Sequence, residues 1–133
     1  MIVLDTHALL WWVSGDSRIS SQAIDRIEQE LQAENGEILI SAISAWEIAL
    51  LIEKGRLTLS MSVDDWLDTV AEIDEVRFMP VDVATAVEST RLPGKFHKDP
   101  AERMIVALAR HFNVELLTAD AKITAYQHVR TIW

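Results

Sequence analysis

The feature that most limits this chain is a set of short apolar runs with no polar partner residue between them. Ile2-Val3-Leu4 and Ile38-Leu39-Ile40 are apolar throughout, and Val114-Glu115-Leu116-Leu117-Thr118 is nearly so. A strand with one face in water alternates polar and apolar residues. A strand apolar at every position is covered on both faces, as in a parallel sheet flanked by helices. A weaker run, Phe78-Met79-Pro80-Val81, carries a proline that confines it to an edge or a strand end, and a last strand is expected from Val129 to Trp133. Helical patterns separate all of these. The chain therefore predicts an α/β/α sandwich with a mainly parallel central sheet of about five strands. Its 133 residues suit one domain, spanning 1–133.

The helices are marked by caps and stripes. Ala8 to Val13 is apolar on every side, and Trp11 and Trp12 cannot share a face there, so one of them is expected to meet a partner. Ser20 or Ser21 caps a helix running to about Glu34, with Ile24, Ile27 and Leu31 on its inner stripe. Ser44-Ala45-Trp46-Glu47 reads as a capping box opening a helix through Lys54 and stopped by Gly55. Arg56 to Leu59 suggests a short extended piece, Ser62 starts the next helix, and Asp82 to Thr90 reads as another. Asp99 is a good N-cap, Pro100 suits the first helical position, and Glu102 stands where a capping-box partner belongs. That helix buries Met104, Ile105, Leu108 and Phe112 and stops at Asn113.

Four acids share one place in this scheme. Asp5, Glu47, Glu102 and Asp120 each follow a strand or fall near the start of the helix after it, with Asp99 one turn before Glu102. Each alone has a plainer reading, as a helix cap or a turn residue. Caps do not require every acid on one rim of the sheet, however, and that rim is where sites collect in such folds. Gathered carboxylates repel and take up protons unless a cation binds among them. Oxygen ligands without His or Cys favour Mg²⁺ or Mn²⁺. One acid outside the inner coordination sphere then has the position to orient or deprotonate a water, which is the chemistry of phosphodiester hydrolysis.

Composition removes other classes. There are no cysteines, which excludes disulfides, thiolate zinc sites and cysteine catalysis. The four histidines do not pair at ligand spacing, which argues against zinc. A formal net charge of −9 argues against a DNA-binding module driven by backbone phosphate contacts. Ile2-Val3-Leu4 is interrupted at once by Asp5, and no apolar run reaches membrane-spanning length, so a cytoplasmic protein is expected. Arg91, Lys95, Lys98 and Arg103 form the one locally basic segment, and Lys98 and Arg103 are candidates for RNA phosphates. Ser44 and Thr118 are candidates to orient the carboxylates through hydrogen bonds.

The ordered pieces Ile2-Val3-Leu4-Asp5-Thr6-His7, Ser44-Ala45-Trp46-Glu47-Ile48, His97-Lys98-Asp99-Pro100-Ala101-Glu102-Arg103-Met104-Ile105-Val106-Ala107 and Leu116-Leu117-Thr118-Ala119-Asp120 resemble the PIN-domain ribonucleases. Within them, the chain resembles the VapC toxins of bacterial type II toxin–antitoxin pairs. The resemblance covers essentially the whole chain and implies a single PIN-like domain. It implies a Mg²⁺- or Mn²⁺-dependent endoribonuclease, with catalytic acids Asp5, Glu47, Asp99, Glu102 and Asp120, of which Asp5, Asp99, Glu102 and Asp120 hold metal. It further implies an RNA substrate, a VapB-type antitoxin that blocks the site, a homodimer, and DNA contact only through the antitoxin. One position departs from the pattern: the family's usual central acid is Asp, and this chain has Glu102.

Two alternatives follow from the same residues. A PIN-like module that binds a partner without cutting is one, kept open by Glu102. A Mg²⁺-binding receiver-type signalling domain is the other, although Lys122 follows Asp120 in the wrong context for it.

Overall fold

The computed structural model describes residues 1–133. Five strands, β1 (Ile2–Leu4), β2 (Ile38–Ser41), β3 (Val76–Met79), β4 (Glu115–Leu117) and β5 (Thr131–Ile132), form one sheet in the order β3-β2-β1-β4-β5. Every pairing is parallel. Seven helices alternate with them: α1 (Thr6–Ser14), α2 (Ser21–Gln32), α3 (Ala42–Glu53), α4 (Val63–Ala71), α5 (Val83–Ser89), α6 (Pro100–Phe112) and α7 (Ala121–Thr124).

The two-sided burial predicted for the apolar runs is observed. Ile2, Leu4, Ile38, Ile40 and Leu117 point to one face, where they pack with Leu9, Ile27, Ile48, Trp66 and Val70 from α1 to α4. The intervening Val3, Leu39 and Leu116 point to the other, against Ile105, Val106, Leu108 and Ala109 of α6 and Ile123 of α7. Successive strand residues alternate faces, so a run apolar at every position supplies both cores at once. β3 is an edge strand and ends at Met79, immediately before Pro80, as its proline required.

The order of strands positions the site. The chain moves outward from β1 to β3, then crosses back to build β4 and β5 on the other side of β1. The reversal lies between β1 and β4, and loops leaving two such strands diverge and open a crevice at their carboxyl ends. A receiver-type sheet has the order 2-1-3-4-5, so this topology rules out the signalling-domain alternative.

Several local expectations are corrected. α1 begins at Thr6 rather than Ala8, because Asp5 caps it directly from the end of β1. α3 begins at Ala42, capped by Ser41, so Ser44 lies inside the helix and Ser44–Glu47 is not a capping box. Arg56 to Leu59 forms no strand, and β5 is shorter than Val129–Trp133. Asn113 ends α6 in the left-handed region at φ 53°, a conformation that Asn tolerates better than most residues. No helix is long and apolar enough to cross a membrane.

Candidate active site

Asp5 stands at the crevice because it is the first residue after β1. Its backbone N–H still donates to Leu117 O across the β1–β4 pair at 3.1 Å, which fixes the side chain's origin. Oδ1 accepts from Ala8 N–H at 2.8 Å and caps α1, while Oδ2 accepts from the Thr118 hydroxyl. Capping and site membership are therefore one arrangement rather than rival readings. Thr118, fully buried after β4, also accepts from Asp120 N–H at 3.0 Å through its hydroxyl oxygen. It thus ties two acids from two adjacent loops. Asp120 in turn caps α7, its Oδ1 accepting from the N–H groups of Lys122 and Ile123.

Glu47 reaches the same place from the second turn of α3. Its Oε1 accepts from the Thr6 hydroxyl at 2.6 Å, and the Thr6 and Ser44 hydroxyls lie 2.9 Å apart. A carboxylate only accepts and a hydroxyl carries a single proton, so Thr6 donates to Glu47 and the Ser44 hydroxyl completes the chain. Ser44 is fully buried, and its orienting role follows from its position one turn before Glu47.

Glu102 enters from the first turn of α6. The cap is one-sided: Asp99 Oδ1 accepts from Glu102 N–H at 3.0 Å. The Glu102 carboxyl group instead turns toward Asp120 and meets His97 Nε2. Asp99 is exposed and does not line the cleft, but its charge raises the pKa values of both Glu47 and Glu102. Arg103 faces inward. Its Nε donates to Ser89 O at 2.7 Å and its Nη1 to Phe96 O and His97 O at 3.1 and 3.2 Å, so this guanidinium braces the loop before α6 instead of projecting toward solvent. Lys98 is exposed and has no ion-pair partner.

Asp5, Glu47, Glu102 and Asp120 line one cleft of about 230 Å³ with Thr6, His7 and Trp11, and neither lysine nor arginine joins them. A larger cleft, about 370 Å³, lies beyond the far end of α6, but Arg110 and Arg130 line it without a carboxylate. Chemistry, not size, marks the site. Burial is the main reason the Asp5 carboxyl titrates above its ordinary range, with the Thr118 and Ala8 hydrogen bonds opposing it. Burial likewise raises Glu47. Glu102 is pushed up to about 8, first by burial and then by the charges of Asp120 and Asp99. Each of these shifts makes the ionised form less favourable in the absence of a cation, and a bound cation opposes it.

The donor set fits a divalent metal, with one difference from the oxygen-only expectation. His97 Nε2, Glu102 and Asp120 offer ligand atoms all within 4.8 Å of one another. His97 and Thr6 both stand in the quoted motifs, but no spacing rule marked either as a site residue. Trp11 is half-buried and lines the cleft, its ring 5.6 Å from those of His7 and Trp133, with the Arg18 guanidinium 4.9 Å above it. Trp46, beside Glu47, is 56% exposed.

Known proteins agree with this architecture. The model of the PIN domain family matches residues 2–129. Ribonuclease VapC22 of Mycobacterium tuberculosis is 34% identical over 134 residues, covering 99% of this chain and 98% of that protein. Among solved structures, FitAcB from Neisseria gonorrhoeae matches with a TM-score of 0.69 at 15% identity, over 100% of this chain and 97% of the other. VapBC2 from Rickettsia felis, bound to a DNA fragment from its promoter, matches with a TM-score of 0.68 at 14% identity, over 99% and 98%. Mycobacterium tuberculosis VapC20, described as a sarcin-ricin loop cleaving toxin, matches with a TM-score of 0.62 at 14% identity, over 98% and 99%. At those identities the structures speak for the fold, and the family match and the VapC22 identity speak for descent. With its acids gathered at the β1–β4 reversal and its whole length matched, the chain belongs to the PIN domain family.

Proposed function

We propose that this protein is a divalent-metal-dependent endoribonuclease, the toxin of a toxin–antitoxin pair, acting in the cytoplasm with Mg²⁺ or Mn²⁺. The observation that carries the reading is the convergence of Asp5, Glu47, Glu102 and Asp120, from four separate segments, on one cleft that no lysine or arginine lines. The naming of its relative as a ribonuclease supports the substrate class. The fold is shared with toxin–antitoxin complexes, which supports the antitoxin.

Asp5, Glu102 and Asp120 hold the cation in this reading, with Asp99 contributing charge from the rim. A bound divalent ion supplies Lewis acidity toward phosphate and acidifies water. Glu47 is held at Oε1 by Thr6, which leaves Oε2 to take a proton from the attacking water. Its raised pKa brings it closer to neutrality, where a general base works best. Thr118 and Ser44 keep these carboxylates in register. The longer side chain of Glu102 still reaches the cleft, which favours an active enzyme over a module that only binds.

An acidic cleft in a chain of net charge −9 calls for a basic partner. The antitoxin in this reading is a small protein that inserts Arg or Lys among the carboxylates, and any DNA contact belongs to it. A homodimer of the toxin completes the assembly. The direct test is incubation of the purified chain with structured RNA in Mg²⁺ or Mn²⁺ and again with a chelator. Metal-dependent internal cleavage that disappears in Asp5→Asn supports the enzyme. Absence of metal-dependent cleavage, or cleavage unchanged in Asp5→Asn, overturns it.

A further inference from the structure

The imidazole of His97 is held at the cleft more firmly than a loop residue needs to be. Its ring stacks on Phe96, with centroids 4.5 Å apart and planes 26° apart. Phe96 meets Tyr126 edge-on at 4.7 Å, and the Tyr126 hydroxyl donates to Pro93 O at 2.5 Å. Arg103 braces the backbone carbonyls of both Phe96 and His97. A ring fixed from behind in this way presents one nitrogen in one direction, which is what a metal ligand requires. That nitrogen, Nε2, meets Glu102 Oε2. Both atoms are shielded from solvent, and neither has a well-formed hydrogen bond. The third member is Asp120, whose carboxylate lies within 4.8 Å of the other two ligand atoms.

We propose that His97 is a nitrogen ligand of the cation held by Glu102 and Asp120, so that the cleft selects a first-row transition ion such as Mn²⁺ over Mg²⁺. The inference rests on the metal-dependent reading above. Mg²⁺ takes oxygen ligands and gives up its waters reluctantly, whereas imidazole adds affinity for first-row transition ions. An all-carboxylate site discriminates less between the two. His97 therefore turns a generic acidic cleft into one with a metal preference.

The test uses paramagnetic Mn²⁺ bound to the full-length purified chain, read by pulsed electron spin resonance. Direct coordination by imidazole gives ¹⁴N modulation of the spin echo. The expected result is ¹⁴N modulation in the natural protein, its loss in His97→Ala, and its retention in His7→Ala, since His7 also lines the cleft. Mn²⁺ affinity should fall about tenfold or more in His97→Ala, the least seen when a group that merely orients a ligand is removed. Mg²⁺ affinity should hardly change, so Mg²⁺ displaces Mn²⁺ at about one-tenth of the concentration otherwise needed. Mn²⁺ bound without ¹⁴N modulation, or with modulation that survives His97→Ala, overturns the nitrogen ligand and leaves the metal-dependent nuclease standing. Failure of the natural protein to bind Mn²⁺ at all overturns the nitrogen ligand and its metal preference, and failure to bind Mg²⁺ as well overturns the metal-dependent reading too. The spectrum of the unsubstituted chain decides the first of these without relying on a variant that folds.

Discussion

The two edges of the sheet use the same residue type in opposite ways. At the amino-terminal edge, Glu30 and Glu115 share the guanidinium of Arg26 at 3.5 and 3.0 Å, and Glu37 pairs with Arg77 at 3.0 Å. At the carboxyl-terminal edge, Asp5, Glu47, Glu102 and Asp120 crowd together with no Arg or Lys among them. Only imidazoles approach: His7 lines the cleft and His97 meets Glu102. The first edge neutralises its acids internally. The second leaves charge unbalanced, which disfavours the metal-free protein and favours anything cationic that enters. The difference separates carboxylates that stabilise from carboxylates that bind.

The sharpest way to break this contrast is to neutralise one acid at each edge. Asp5→Asn should reduce RNA cleavage by roughly a hundredfold or more, at least the upper end of what losing a group that only orients a metal ligand costs, while leaving thermal stability in chelator unchanged or higher. Removing a like charge from a crowded cluster relieves repulsion. A stable variant with full activity would erase the distinction. At the other edge, Arg26→Met should cost on the order of 2–3 kcal/mol in urea unfolding, because it strips a buried carboxylate of one of its cationic partners. Glu30 is 4% exposed and keeps only the chain's amino group, so water cannot replace the lost guanidinium. Unchanged stability would show that this edge gains nothing from its pairs.

A smaller effect is expected at Thr118→Val, which deletes the hydroxyl between Asp5 and Asp120 and keeps the volume. Activity should fall about tenfold, as for other groups that orient metal ligands. The fall should appear chiefly as a higher metal concentration needed for half-maximal rate. The remaining effect is one of pH. Glu102 is raised from its ordinary 4.5 to about 8 in the folded chain. Between those values the native state holds a proton that the unfolded chain has lost, so stability falls as pH rises across that window. Thermal melts in chelator from pH 5 to 9 should show the decline, and Glu102→Gln, or Mn²⁺ in place of the chelator, should flatten it. A rising curve would mean that Glu102 is ionised and satisfied without metal.

Much of this was legible in the residues because it depends on short-range rules. Alternating strand and helix patterns, two-sided burial of Ile2-Val3-Leu4, and helix starts near Ser20 or Ser21, Ser62, Asp82 and Asp99 all follow from neighbours a few positions apart. The acids at strand ends were visible for the same reason. Ser44 was misplaced because Ser41 and Ser44 are both acceptable caps, and only the end of β2 chooses between them. Arg103 reads in the sequence as a candidate for RNA phosphates because its acceptors are backbone carbonyls, which a sequence does not distinguish.

The sequence by itself determined a layered α/β chain with carboxylates after its strands, since periodicity and capping are local physics. Tertiary structure alone decided that Thr118 donates to an aspartate 113 positions away, that Thr6 reaches Glu47, and that His97 joins Glu102. Those contacts depend on the strand order that places β4 beside β1 and on packing that aims each side chain. Neither leaves a mark at fixed spacing along the chain.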